Sequence, residues 1–455
     1  MDVYGTLFRS VLLPIWETHV RRRPVLERLR LLERTQWRSL DELHALQSAA
    51  LSQLIDHAYH HVPMYRARFE TLGLIPDDVR TPEELPKLPV LRRADLRSCG
   101  GTRESTAPPR PTIRKQTSGT TGEPMLFGFE PDSEHWRRAV RFRGYGWAGY
   151  RPGDRALHFW GAPLPTEPPW QTRVKVALDR RMHRERYIPC AVMSEDRLDE
   201  VVSVIRTAQP DVFVCYAQAG AELARYIDRK GLRTWPAIPV ICGAERVTAR
   251  DREDLQRAFG AVFDVYGCRE VMMIAGECEV HDGLHVSMEN LVVEIVVTED
   301  GRERPAREGE TGEVVVTDLH NYGMPFIRYA NGDIATAGSS ERCACGRTLP
   351  RIRSVQGRVS ETLHDARGSA VSGISLSNLF HDVSSAVRQF QVVQHRDTSV
   401  TIRLVQSERL PESALARIRR NATRLLAGID VHVQVVPELP RSAAGKHQLV
   451  VVERT

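Results

Sequence analysis

The run Thr117-Ser118-Gly119-Thr120-Thr121-Gly122-Glu123-Pro124, set between Lys115 and the apolar Met125-Leu126-Phe127, decides how the rest of the chain is read. Glycines let a backbone take positive φ and bring its N–H groups up to a phosphate chain, while Ser and Thr hydroxyls add uncharged donors. The run is therefore a candidate phosphate-binding loop, although clusters of this composition also serve as ordinary solvated turns. It is not the loop of the P-loop NTPases. That pattern closes on Gly-Lys-Ser/Thr and runs straight into a helix; here Glu123-Pro124 closes the loop and a strand-like segment follows.

The loop sits in a chain of 455 residues, long enough for two or three domains. A hydrophobic share of 42% beside 27% charged residues is that of a globular protein. No run of about 18 apolar residues occurs, and the opening Met1 to Pro14 has an early Asp2 and no small-residue cleavage site. A cytoplasmic location without a membrane partner is expected. The net charge of +5 is mild, the cations are not blocked into runs, and aromatics are few, so no nucleic-acid partner is expected. Lys87, Lys115, Lys175, Lys230 and Lys446 are the only lysines, which leaves 58 arginines and makes each lysine informative. Of eight cysteines, Cys99, Cys190, Cys215, Cys242 and Cys268 are scattered singly and read as small hydrophobes.

Outward from the loop, Leu26 to Tyr65 reads as helical, ending at Val62-Pro63. His57, His60 and His61 fall here without a carboxylate or thiol at ligand spacing, so a surface or capping role is expected. After the loop, Asp132 to Gly146 reads as a helix and Arg155 to Trp160 as a strand. Then comes an alternation: helix Glu195 to Ala208, strand Val212 to Cys215, helix Gly220 to Lys230, strand Ile238 to Cys242, helix Ala249 to Phe259, strand Val262 to Val265. Strands separated by helices of this length make βαβ units and a mostly parallel sheet, and ligands of such sheets lie at the carboxyl ends of the strands. The tail reads as strands Phe390 to Gln394, Val400 to Val405 and Val431 to Val436, with a helix Pro411 to Leu426.

Two strands end in turn residues plus a carboxylate, Gly243-Ala244-Glu245 and Tyr266-Gly267-Cys268-Arg269-Glu270. A tyrosine there can stack on a purine and a glutamate can hold Mg²⁺ between phosphates. Asp333, just after Gly332, suits the two hydroxyls of a ribose. Pro440-Arg441-Ser442-Ala443-Ala444-Gly445-Lys446 presents a mobile cation suited to charge developing on a phosphate. Cys343-Ala344-Cys345-Gly346 is a knuckle-like turn which, with Cys278 and either His281 or His285, would close a structural Zn²⁺ site; free buried thiols are the alternative.

Taken in order, these motifs resemble the adenylate-forming, acyl-CoA ligase superfamily, in its phenylacetate-CoA ligase-like branch. The phosphate loop, Tyr266-Gly267-x-x-Glu270, Arg328-Tyr329-Ala330-Asn331-Gly332-Asp333, Gly357-Arg358 and Pro440 to Lys446 carry the likeness, with Thr35-Gln36-Trp37 and His61-Val62-Pro63-Met64-Tyr65-Arg66 in the leader. The resemblance implies an α/β fold: a large N-terminal domain (1–357, helical leader 1–90) with mostly parallel sheets and helices, and a small mobile α+β domain (358–455). It implies that Thr117, Ser118, Gly119, Thr120, Thr121 and Gly122 hold the ATP phosphates. Ala244, Glu245, Asp264, Tyr266 and Gly267 would form the adenine pocket, and Asp333 and Arg358 would grip ribose and phosphate. Glu270 would hold Mg²⁺, Lys446 would drive adenylation, and His285 rather than His281 would join Cys278, Cys343 and Cys345 on Zn²⁺.

The implied activity is an ATP-dependent activation of a small carboxylic acid to an acyl-adenylate, then transfer to coenzyme A; an amine acceptor in a biosynthetic pathway and a silent nucleotide binder are the alternatives, and a homodimer is an option. The acid pocket is expected along the Trp136 helix, the Phe159 to Pro169 loop with Trp160 and Trp170, and the segment after Glu270, favouring an aromatic or apolar acid. Two departures stand out. Glu123 replaces a common lysine, and Ser360 or Glu361 replaces the usual hinge aspartate.

Overall fold

The computed structural model describes residues 2–116, 125–161, 169–190, 193–244, 247, 249–299, 301–355, 362–367, 370–372, 376, 378–383, 386–406, 408–439 and 450–453. The chain forms two compact units. One takes Met1–Lys115, Phe127–Gly153 and Phe263–Arg358; the other takes Gln116–Leu126, Asp154–Val262 and Val359–Thr455.

In the first unit the leader divides where its local chemistry dictates. Instead of one long helix there are three, Val25–Thr35, Leu40–His61 and Pro63–Leu72. Ser39 starts the second through a reciprocal cap: its Oγ accepts from the Glu42 N–H at 3.3 Å while Glu42 Oε2 accepts from the Ser39 N–H at 3.0 Å. Pro63 lacks an N–H and takes the first position of the third, where that loss is harmless.

The sheet of this unit is antiparallel. From one edge its strands run Arg302–Pro305, Leu291–Glu299, Thr311–Asp318, Tyr329–Ala337, Arg351–Val355, Leu284–Val286, Met272–Glu277 and Val262–Cys268. β-Branched residues fill it, and Val314, Val315 and Val316 are fully buried.

The second unit carries two separate hydrophobic cores. In one, the strands Glu185–Ile188, Ala156–Phe159, Val212–Tyr216 and Val240–Gly243 pair in parallel, with the helices Glu195–Ala208 and Ala217–Lys230 between them in sequence and the helix Ala249–Ala258 after the last. Three of the four strands are buried along their whole length, as expected of a parallel sheet covered on both faces. This is the α/β alternation that the sequence spells out. In the other core, the strands Val431–Val435, Val400–Gln406, Val387–Gln394 and Val450–Val452 form a sheet, and the helix Glu412–Leu425 buries Ala414, Ile418, Ala422 and Leu425. Among the described residues no helix is long and apolar enough to cross a membrane.

Candidate active site and metal centre

The strand Val262–Cys268 and its hairpin partner Met272–Glu277 fix the nucleotide motif of the first unit. A β-bulge falls between Tyr266 and Gly267, and a Cβ on Gly267 would stand 2.1 Å from the Met272 carbonyl oxygen. Only glycine fits there, so Gly267 has a steric duty whether or not it meets a ligand.

The bulge aims Tyr266 at the strand Tyr329–Ala337. The Tyr266 phenol donates to Asp333 Oδ2 at 2.9 Å and accepts from Asn331 Nδ2 at 2.7 Å. Asn331 Oδ1 in turn accepts from the Asp333 N–H at 3.0 Å, across the turn in which Gly332 takes φ +86°. Burial, and then the Asp333 carboxylate, raise the Tyr266 phenol well above its usual range, so it stays a donor. Tyr266 and Asp333, chosen separately from the sequence, are thus one hydrogen-bonded unit.

Glu270 follows the same hairpin strand and is 2% exposed. A carboxylate this buried needs partners. Arg93 Nη2 donates to its Oε1 at 3.0 Å, the Tyr329 phenol donates to the same oxygen at 3.1 Å, and Arg93 Nε donates to the Tyr329 phenol at 3.1 Å. Burial, then Glu270, hold Tyr329 protonated, and the same causes push the Cys268 thiol well above its usual range. Cys268 is therefore a thiol beside a carboxylate and a poor nucleophile. One carboxylate completed by phosphate oxygens and water is a normal Mg²⁺ environment, so Glu270 fits that ion.

Asp264 is half-buried, and its backbone N–H donates to Glu277 Oε2 at 2.8 Å. Ala244 lies in the second unit, exposed, in a left-handed conformation at φ +66° directly after the strand Val240–Gly243. Thr117, Ser118, Gly119, Thr120, Thr121, Gly122, Glu123, Glu245, Arg358, Ser360, Glu361 and Lys446 lie outside the described residues.

Two aromatic residues of the expected acid-pocket segments have partners of their own. Phe159 is fully buried in the core of the second unit, 6.4 Å from Phe213, and Trp136 stacks on His320 at 4.0 Å. Sequence reasoning passed over Arg93, Tyr329 and Asn331. The last two stand inside the phrase that led to Asp333, so period-two alternation along that strand would have flagged them. Arg93 has no local signal.

Also in the first unit, Cys278, His285, Cys343 and Cys345 bring one ligand atom each to within 4.8 Å of the others. A tetrahedral zinc with ordinary bond lengths separates two sulfurs by roughly 3.8 Å and a sulfur from a nitrogen by roughly 3.5 Å. Cys278 Sγ and Cys343 Sγ are 4.0 Å apart, and Cys345 Sγ and His285 Nε2 are 3.5 Å apart. The outer nitrogen of His285, Nδ1, lies 2.9 Å from the Leu349 carbonyl oxygen; donation to that oxygen leaves Nε2 with its lone pair facing the sulfurs. Burial lowers His285 to about 4 and raises the Cys278 thiol to about 12. Neutral imidazole suits a metal; a crowded, desolvated thiol gains from giving its proton up to one. His281 is not part of the cluster: its Nδ1 faces Glu277 Oε2 at 3.2 Å. The residues fit Zn²⁺.

The knuckle is tied to the leader. Arg347 Nε and Trp147 Nε1 both donate to Gln36 Oε1, at 3.0 and 2.9 Å, and the Arg347 guanidinium lies 4.9 Å from the Trp37 ring centre. The Thr348 N–H donates to the Gln36 carbonyl at 3.2 Å. Thr35-Gln36-Trp37 is thus the clasp between the first helix and the metal knuckle. His57 has a comparable structural task, with Nε2 3.0 Å from both Ser105 Oγ and the Tyr322 carbonyl.

Comparison with known proteins gives this architecture a lineage. The chain superposes on 2-hydroxyisobutyryl-CoA ligase in its postadenylation state with a TM-score of 0.59 at 20% identity, covering 93% of this chain and 92% of that one. The fold is that of an acyl-CoA ligase. Phenylacetate-coenzyme A ligase of Escherichia coli K12 is 31% identical over 335 residues, 71% of this chain and 73% of its own, and that of Pseudomonas putida is 28% identical over 433 residues, 93% of this chain and 89% of its own. The chain belongs to the phenylacetate-coenzyme A ligase family. Its residues 363–453 match the CapK C-terminal domain.

Proposed function

We propose that this protein is an AMP-forming acid-CoA ligase. A carboxylate oxygen attacks the α-phosphorus of ATP, the bond to the β-phosphate breaks, and acyl-AMP and pyrophosphate form. The thiol sulfur of coenzyme A then attacks the acyl carbon, loses its proton, and AMP leaves with the acyl bond's electron pair. The observation that carries this reading is the buried Glu270 with its Arg93 and Tyr329 partners, beside the Tyr266–Asp333 unit, in a chain of this family.

Each side chain has a defined task. Asp333 offers its carboxylate to the ribose hydroxyls while Tyr266 fixes its orientation. Glu270 would hold Mg²⁺, which shields phosphate charge during the first step. The Thr117 to Gly122 loop supplies hydroxyl and backbone donors, Arg358 a further contact, and Lys446 the mobile cation. With Glu123 in place of a lysine, the loop's own positive charge is missing and Lys446 carries more of the work. No covalent enzyme intermediate is required, because positioning and electrostatics supply the catalysis. Residues 358–455 act as the mobile C-terminal domain, with Ser360 or Glu361 as hinge. Zn²⁺ is structural, on Cys278, His285, Cys343 and Cys345.

The test is pyrophosphate release with hydroxylamine as trap, across a panel of aromatic and apolar acids. Acid-dependent release that Lys446→Ala abolishes supports the mechanism; release unchanged in that variant overturns it. Replacing hydroxylamine by coenzyme A or by amines then identifies the acceptor.

A further inference from the structure

The helix Glu412–Leu425 gives one face to the C-terminal core and leaves the other to solvent. On the outer face, beside the turn at Arg367, lies an open concavity of about 820 Å³ lined by Arg367, Arg419, Arg420, Thr423, Arg424 and Ala427. Four arginines line it, and none forms an ion pair among the described residues. Arg424 lies in the last helical turn, where the helix dipole favours a cation. Arg367, Arg419 and Arg420 have no such reason to be there, and four like charges around one hollow repel unless an anion occupies it.

The lining decides what kind of anion. Small-molecule pockets occupy roughly 300–1,000 Å³, so the volume is that of a cofactor fragment. Single-stranded nucleic acid is held by aromatic stacking; this hollow has no aromatic residue. Ala416, Ala427 and Gly428 complete the lining, and a Cβ added to Gly428 would meet nothing within 4 Å, which leaves room for a flat base beside a guanidinium. Arginine forks match phosphate oxygens two at a time. The site also offers cations alone, with no carboxylate to hold a metal, which suits the end of a polyphosphate that takes no part in the chemistry.

We propose that this concavity binds the adenosine 3′-phosphate 5′-diphosphate end of coenzyme A, an inference that rests on the acid-CoA ligase reading above and locates its acceptor. The three phosphate groups meet Arg367, Arg419, Arg420 and Arg424, and the adenine lies against Ala416, Ala427 and Gly428.

The experiment uses the full chain and the exposed double variant Arg419→Gln/Arg420→Gln. Calorimetric titration with adenosine 3′,5′-bisphosphate, which requires no knowledge of the acid, is expected to show binding that weakens by roughly 10-fold in the variant, the loss of about 1.4 kcal/mol in charge-assisted contacts. In turnover, KM for coenzyme A rises by a similar factor, KM for ATP and hydroxylamine-trapped pyrophosphate release stay unchanged, and wild-type enzyme given 3′-dephospho-coenzyme A behaves like the variant. Equal binding of the bisphosphate to both proteins, or a shift in KM for ATP instead, overturns the proposal. Thioester formation with an unaltered KM for coenzyme A also overturns it while leaving the ligase reading intact; acyl-adenylate formation with no thioester from any acid overturns the ligase reading, and the calorimetry still judges the site.

Discussion

Arg93 Nη2 stands 3.0 Å from Glu270 Oε1, so the carboxylate proposed to hold Mg²⁺ already faces a half-buried cation. On that proposal the two cations compete for one group. Replacing Arg93 by Gln removes the competitor's charge, and the half-saturating Mg²⁺ concentration for pyrophosphate release is expected to fall by roughly 3- to 10-fold. Glu270→Gln raises that concentration and slows release by on the order of 100-fold. A Mg²⁺ titration of each variant checks both; equal half-saturation in all three proteins would take Glu270 out of metal binding.

Neighbouring residues Tyr266 and Gly267 are expected to fail in different ways. Tyr266→Phe keeps the ring and loses the donor to Asp333, so KM for ATP rises by roughly 5- to 10-fold with little change in melting temperature. Gly267→Ala drives a methyl group to 2.1 Å from the Met272 carbonyl oxygen. Loss of more than about 3 kcal/mol in urea unfolding is expected, because the obstacle is backbone and cannot rotate away. A Gly267→Ala protein of wild-type stability would show that the hairpin relaxes.

These contrasts also mark what a sequence makes legible. Three of the four parallel strands of the second unit are readable because each is a short apolar run, whereas Glu185–Ile188 buries only Ile188 and leaves no such trace; the helix Glu195–Ala208 is legible to the residue, and in the structure Ser194 caps it. The helix Trp170–His183 went unread: Trp170 and Leu178 are 70% and 62% exposed, and a helix without a buried stripe leaves no periodic trace. The antiparallel strands between Met272 and Pro305 were also missed, since their pairing depends on partners far along the chain. Glu270 and Asp333 were visible as carboxylates at turn ends. Arg93, 177 residues from Glu270, was not, because a lone arginine among 58 has no local signature.

The knuckle gives a metal prediction with an internal control. Purified protein is expected to contain one zinc per chain by atomic emission. Cys345→Ser and His285→Ala lose it together with several degrees of melting temperature, since a structural zinc contributes directly to folding. His281→Ala keeps it, because that imidazole faces Glu277. Zinc absent from the wild-type protein, or lost equally in His281→Ala, would contradict the ligand set. Gln36→Ala is expected to lower stability without removing zinc, as it cuts the clasp to Arg347 and Trp147 but no ligand.

A pH effect follows from Glu130, which is 1% exposed at the entrance to the helix Pro131–Trp147. Burial first, and the nearby Asp132 and Asp318 carboxylates in addition, push its carboxyl up to about 7, against the opposing hydrogen bond from the Tyr322 N–H. In the unfolded chain the same carboxyl ionises in the ordinary range near 4.5. Between these two values the folded state holds one proton more than the unfolded state, so stability falls as pH rises. Glu130 therefore favours folding fully below its unfolded value, and that contribution is gone once the pH has passed through 7. Across pH 4 to 9 the wild-type protein is expected to lose about 2–3 kcal/mol more than Glu130→Gln, which has no proton to release there. Urea unfolding of both proteins at several pH values checks this, and parallel stability curves would show that Glu130 ionises like an exposed carboxylate.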